Sequence, residues 1–182
     1  PFGRALNLAV NAQPTSLDDM RALLNGQDPV DPMTSERAAE IRSTEYEVSV
    51  FELAEQDDVV EALFATHLAD TGDGAAEQAF FALCSDRAAM AARVMIEQSD
   101  IVIGIWDGIT HGSIGGTRHT IEAALEQGVP VIWIDARNPQ GWHLLQAKEQ
   151  LAALAGRASA ARDEAGISAL IHVALCPSGD GW

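Results

Sequence analysis

Disulfides, long apolar runs and basic surface are all scarce in this chain. Two cysteines, Cys84 and Cys176, stand among 182 residues. That is too few for a disulfide framework at this length, so a reducing cytoplasm is the expected compartment and buried thiol the expected role. No apolar stretch nears the ~20 residues that span a bilayer, and no basic-then-apolar secretory leader is legible. Lysine and arginine number 11 against 27 acidic residues, a net charge of −16. Nucleic acid and anionic membranes need basic surface, so neither is an expected partner. The five histidines, at 67, 111, 119, 143 and 172, are scattered. They make no H-x-x-x-H or Cys/His set, so no metal and no cofactor is expected. The sequence holds no Gly-x-Ser-x-Gly elbow, no G-x-x-x-x-G-K-[ST] and no G-x-G-x-x-G, which demotes serine hydrolysis, P-loop chemistry and ordinary dinucleotide redox chemistry.

What is present is a globular composition, 47% hydrophobic, long enough for one domain over residues 1–182. The chain opens Pro1-Phe2, so the first strands of that domain are expected to precede it. Up to residue 35 the pattern is irregular, broken by Pro14, Gly26, Pro29 and Pro32, with short helices predicted at Ser16–Leu24 and Ser35–Ile41. Ser16 reads as an N-cap with acids behind it. Glu45–Leu53, rich in β-branched and aromatic residues, predicts a strand. Apolar residues at 59, 60, 63, 64 and 68 predict a helix from Asp57 to about Ala69, and alanine-rich Ala75–Gln98 one long helix or two. Later, His143–Leu154 has a helical apolar face, Arg157–Glu164 continues it or adds a turn, and Ile167–Leu175 reads as a strand.

The richest stretch lies between Asp100 and Asp135. The apolar run Ile101–Trp106 ends in Asp107, and glycines follow at 108, 112, 115 and 116. Thr117 opens a helical pattern as its expected cap, Gly128 closes it, and Val131–Ile134 runs into Asp135. Strand, glycine-rich loop, helix, strand is the unit of a parallel sheet, here with strands apolar enough for burial on both faces. The predicted class is therefore α/β, a parallel sheet flanked by helices on both faces. Ligands in such sheets sit beyond the strands' carboxyl ends, where Asp107 and Asp135 fall. Gly115 and Gly116 let backbone approach an anion closely, and Thr117 adds a hydroxyl. Asp135 lies 19 residues past Gly116, the spacing of a ribose-binding carboxylate. Arg118 and His119 are candidates to clamp a second phosphate or stack on a base, with something anionic offsetting their charge at a helix N-terminus. Asp107 is expected to meet ribose hydroxyls or to hold the loop. His111 is a loop residue, exposed or acting as acid/base. Of Trp106, Trp133 and Trp142, Trp133 is expected in the core.

Ser99-Asp100-Ile101-Val102-Ile103, Trp106-Asp107-Gly108, Gly115-Gly116-Thr117 and Gly128-Val129-Pro130-Val131 together resemble the SLOG superfamily, in particular its bacterial proteins with a WDG…GGT core. The superfamily groups LOG ("lysine decarboxylase-like") phosphoribohydrolases, DprA-like proteins and bacterial nucleotide sensors. The resemblance covers about residues 86–136 and implies a Rossmann-like fold with a nucleotide-type ligand bound by Asp107, Gly108, Gly115, Gly116, Thr117, Arg118, His119 and Asp135. In LOG enzymes the loop reads P-G-G-x-G-T-x-x-E, and an arginine on the preceding helix assists. Here Thr120 holds the glutamate position, and Glu122, two residues on, is rotated by about 200°. Arg87 and Arg93 stand on the preceding helix, neither in the enzyme register. Binding, as in a sensor or regulatory domain, is thus the first expectation. An N-glycosidic hydrolase or transferase of the phosphoribohydrolase or deoxyribosyltransferase kind is the second, with Asp107, Glu122 or His111 as its acid. A homo-oligomeric scaffold with a vestigial site, dimerising through helix 75–98, is the third.

Overall fold

A computed structural model describes residues 2–46, 52–69, 74–110, 112, 114–154 and 162–175. Among them the chain is mixed α/β, with eight helices and three strands. It divides into two compact units, Pro1–Ala88 and Ala89–Trp182, where one domain is the reading from the sequence.

The first unit is helical. α1 (Arg4–Ala12), α2 (Leu17–Leu24), α3 (Pro32–Tyr46), α4 (Asp57–Ala69) and the start of α5 (Gly74–Glu97) contribute to it. Ser16 caps α2 as expected: its Oγ accepts the Asp19 N–H at 3.1 Å. Asp31 caps α3, its Oδ2 accepting the Thr34 amide and hydroxyl at 2.8 Å each. Pro32 therefore begins a helix rather than breaking one, since the first helical residue needs no N–H. Two further expectations change. α1 occupies part of the stretch read as irregular, and α3 carries helix through Tyr46, into the segment read as a strand. Residues 47–51 of that segment lie outside the described residues. Phe2, Leu6, Ala9, Met20, Leu23, Val60, Phe64 and Phe80 form the core. Arg87, 3% exposed, bonds to the Leu53 carbonyl, and its Nη2 lies 3.7 Å from Asp57 Oδ1. Asp57 Oδ2 in turn accepts the Gly3 N–H at 2.8 Å. Arg87 is thus a structural residue of this unit.

The second unit holds the sheet: β1 (Val102–Trp106), β2 (Val131–Asp135) and β3 (Trp142–Leu145) in the order β1-β2-β3. β1 and β2 are parallel with Trp106 opposite Asp135, and β3 runs antiparallel to β2. α6 (Thr117–Glu126) makes the crossover between the parallel pair. Its closure is a Schellman turn: Gly128 adopts φ +77°, its N–H reaches Leu125 O at 3.1 Å, and Val129 N–H reaches Ala124 O at 2.9 Å. Gly104 sets how closely α6 approaches β1. A Cβ there would lie 2.6 Å from Ile121 Cδ1, and Ile121 is 1% exposed. Val102, Trp106, Val131 and Trp133 pack with Ile121, Ala124 and Leu125 on that face.

Burial on both faces does not hold for β1. Ile103 and Ile105 point the other way and are 64% and 61% exposed. The strand is uniformly apolar, yet only its even-numbered residues meet α6. Two later elements also differ from the sequence reading. Trp142–Leu145 is a strand rather than the head of a helix, which begins only at α7 (Lys148–Leu154). Ile167–Leu175 belongs to α8 (Glu164–Leu175), whose first turn is closed by Asp163 Oδ1 accepting the Gly166 N–H at 3.1 Å. Residues 155–161 of the stretch between them lie outside the described residues. Among the described residues, no helix is long and apolar enough to cross a membrane.

Candidate functional site

The strand ends and the start of α6 carry the chemistry. Asp107 follows β1 and folds the loop onto itself. Its Oδ1 accepts the Ile109 and Thr110 amides at 2.9 and 2.8 Å, and its Oδ2 accepts the Thr110 hydroxyl. The Thr110 hydroxyl first, then the two amides, hold the carboxyl well below the ordinary range, at about 2. Of the two roles expected for Asp107, holding the loop is the one its hydrogen bonds perform. Gly108 makes the turn possible with φ +73°. The loop is also tied to the core. Thr110 O accepts the Trp106 indole N–H at 2.9 Å, and Trp106 O accepts the Trp133 indole N–H at 2.9 Å. Trp133, 1% exposed, is a core residue as expected.

Asp135, at the parallel position of β2, is 4% exposed and paired with Arg137. Arg137 Nε and Nη2 donate to Oδ1 and Oδ2 at 3.1 and 2.9 Å, and the Arg137 amide donates to Oδ1 at 2.9 Å. That pairing lowers the carboxyl's pKa against the opposing effects of burial and of the Asp107 charge, so the two acids sense each other. The fork also raises the guanidinium's pKa.

Across the loop, Gly116 rather than Thr117 is the N-cap of α6, with extended backbone and no side chain to cap with. Thr117 is an exposed first helical residue. Thr120 makes the first helical bond, its N–H reaching Gly116 O at 3.0 Å, and its hydroxyl reaches the same oxygen at 3.2 Å. The amides of Thr117, Arg118 and His119 consequently have no helical acceptor. Gly115, at φ +84°, gives its N–H to His119 Nδ1 at 3.4 Å. Gly112 comes within reach of the same corner: a Cβ on it would sit 4.0 Å from Gly116 Cα. His111 lies outside the described residues.

Arg118 is offset by an anion, as a cation at a helix N-terminus requires. Its Nε donates to Glu122 Oε1 at 3.0 Å, and its guanidinium lies 5.8 Å from the Trp106 ring centroid. A cavity of about 340 Å³ opens there, lined by Trp106, Gly108, Arg118, Glu122, Lys148 and Leu151. Lys148 is ion-paired with Glu126, which raises its pKa and lowers that of Glu126. His119 faces a second, smaller cavity with Arg93 and Glu126. The structure thus gathers Gly115, Gly116, Thr117 and His119 at one helix start, Asp107 and Asp135 at one sheet end, and Gly108 with Arg118 around one cavity.

Thr110, Arg137 and Lys148 carry this geometry and were not singled out in the sequence. Asp107-Gly108-Ile109-Thr110 has the spacing of a side-chain-closed turn, and Asp135-Ala136-Arg137 is a local pair, so two of the three had a signal. Lys148 reaches the site only through the fold. Cys84 is half-buried, which pushes its thiol pKa up; Cys176 lies outside the described residues. No group of three or more His, Cys, Asp or Glu is placed to hold a metal among the described residues. No family model, curated protein or solved structure matches this chain.

Proposed function

We propose that the second unit binds a nucleotide or nucleotide-derived phosphorylated ligand, as the sensor or regulatory part of a cytoplasmic protein with a Rossmann-like, SLOG-type sheet. The observation that carries this reading is the start of α6, which no side chain caps among the described residues. Two glycines lead into it, and the amides of Thr117, Arg118 and His119 have no helical acceptor. Such amides, at the positive end of a helix, suit a phosphate. The arginine-neutralised Asp135 lowers the electrostatic cost of bringing an anion to this acidic edge.

The same geometry favours binding over N-glycosidic cleavage. A general acid needs a proton near neutral pH, and Asp107 is held at about 2 by its own loop. Thr120 gives its hydroxyl to Gly116 O, and Glu122 is turned to Arg118. A homodimer through α5 belongs instead to the alternative of a scaffold with a vestigial site, which the exposed Met90 and Met95 favour.

Calorimetry against nucleoside monophosphates, ADP-ribose and cyclic nucleotides tests the reading. At least one should bind, and Gly116→Asp, which sets a carboxylate at the helix start, should abolish that binding. Absence of heat with every ligand sinks it. Chromatography of nucleoside monophosphates after incubation should show no released base; a free base would favour the hydrolase instead.

A further inference from the structure

The cavity beside the loop has an edge with its own pattern of charge. The Arg118 guanidinium carbon lies 5.8 Å from the Trp106 ring centroid and both residues line the cavity, so a flat cation of the kind on which a base stacks stands at its wall. Around it stand one carboxylate, Glu122, and one ammonium, Lys148. Glu122 accepts the Arg118 Nε with Oε1, and among the described residues nothing donates to Oε2. The Lys148 ammonium has three donors and spends one on Glu126. The cavity therefore offers a carboxylate acceptor beside a cationic donor.

We infer that this cavity reads a guanine-type base edge, so that the ligand of the second unit is a guanine nucleotide in preference to an adenine nucleotide. The inference rests on the phosphate-binding reading of the neighbouring loop. Guanine presents an acceptor, O6, beside two adjacent donors, N1–H and N2–H. A carboxylate takes both donors and an ammonium gives to O6. Adenine presents one donor and one acceptor there, so it leaves a carboxylate oxygen unsatisfied. Hydrogen bonds to charged groups discriminate strongly, because the wrong edge strands a desolvated charge.

Calorimetry on the full chain with guanosine monophosphate, adenosine monophosphate and ribose 5-phosphate tests this. Guanosine monophosphate should bind about tenfold or more tighter than adenosine monophosphate. In Glu122→Gln the gap should close to about twofold, and Lys148→Met on a different helix should close it in the same direction. Equal affinity for the two nucleotides, or a preference that survives both substitutions, overturns the inference. If ribose 5-phosphate binds in that case, the reading of the loop stands. If none of the three binds, the inference falls, and ADP-ribose and the cyclic nucleotides decide the reading of the loop.

Discussion

Asp107 accepts three hydrogen bonds from its own loop, and its titration follows from them. A carboxyl whose pKa falls from 3.8 to about 2 on folding favours the folded loop when ionised. The contribution is fully present above the unfolded value and is lost as pH falls through the folded one. Between pH 4 and 2 the Ile109 and Thr110 amides should lose protection from exchange before the β1–β2 amides do. Loss in the reverse order would mean that Asp107 does not hold the loop. Gly104 makes a second residue-scale case. Gly104→Ala drives a methyl into the buried Ile121, and overpacking of this kind costs about 1–3 kcal/mol. Urea unfolding should show that loss, and Gly104→Val a larger one. An unchanged midpoint would mean that α6 is free to move off the strand.

At the scale of elements, caps decide where helices start and stop. Ser16→Ala should cost the first unit about 1 kcal/mol, read by thermal unfolding. Gly128→Ala meets no atom within 4 Å, yet φ +77° penalises any side chain. About 1 kcal/mol should be lost without a packing change, and a neutral result would mean that the Schellman turn does not need its glycine. The elements legible in the sequence are those with such local punctuation. β1, α6 and β2 were read from apolar runs bounded by Asp107, Gly128 and Asp135, and α2 and α4 from a cap and a period. The elements that differ from the sequence pattern depend on tertiary partners or on a cap outside the apolar run. Trp142–Leu145 became a strand by pairing with β2, although Leu144, Leu145 and Leu151 fit a helical face. Ile167–Leu175 is a short apolar run, but Asp163 caps it into a helix. In the candidate site the glycines and acids were legible because each has a local reason to be there. Lys148 was not, because only the packing of α7 beside α6 brings it to the cavity.

For the whole molecule, net charge is the dominant electrostatic fact. At −16 the compact state repels itself, and salt screens that repulsion. The melting temperature should therefore rise between about 10 mM and 150 mM sodium chloride, where the Debye length shrinks from roughly 30 to 8 Å. A fall with salt would mean that ion pairs such as Lys148–Glu126 outweigh the repulsion, contrary to the small value of exposed pairs. The hydrogen-bonded series from Trp133 through Trp106 to Thr110 and Asp107 has another consequence. An indole N–H gives its own proton resonance, and this chain has four tryptophans. One of those resonances belongs to a ring anchored in the second unit's core whose N–H touches the loop. The protein thus carries a native spectroscopic probe at its candidate site, and loop rearrangement can be watched without attaching a label.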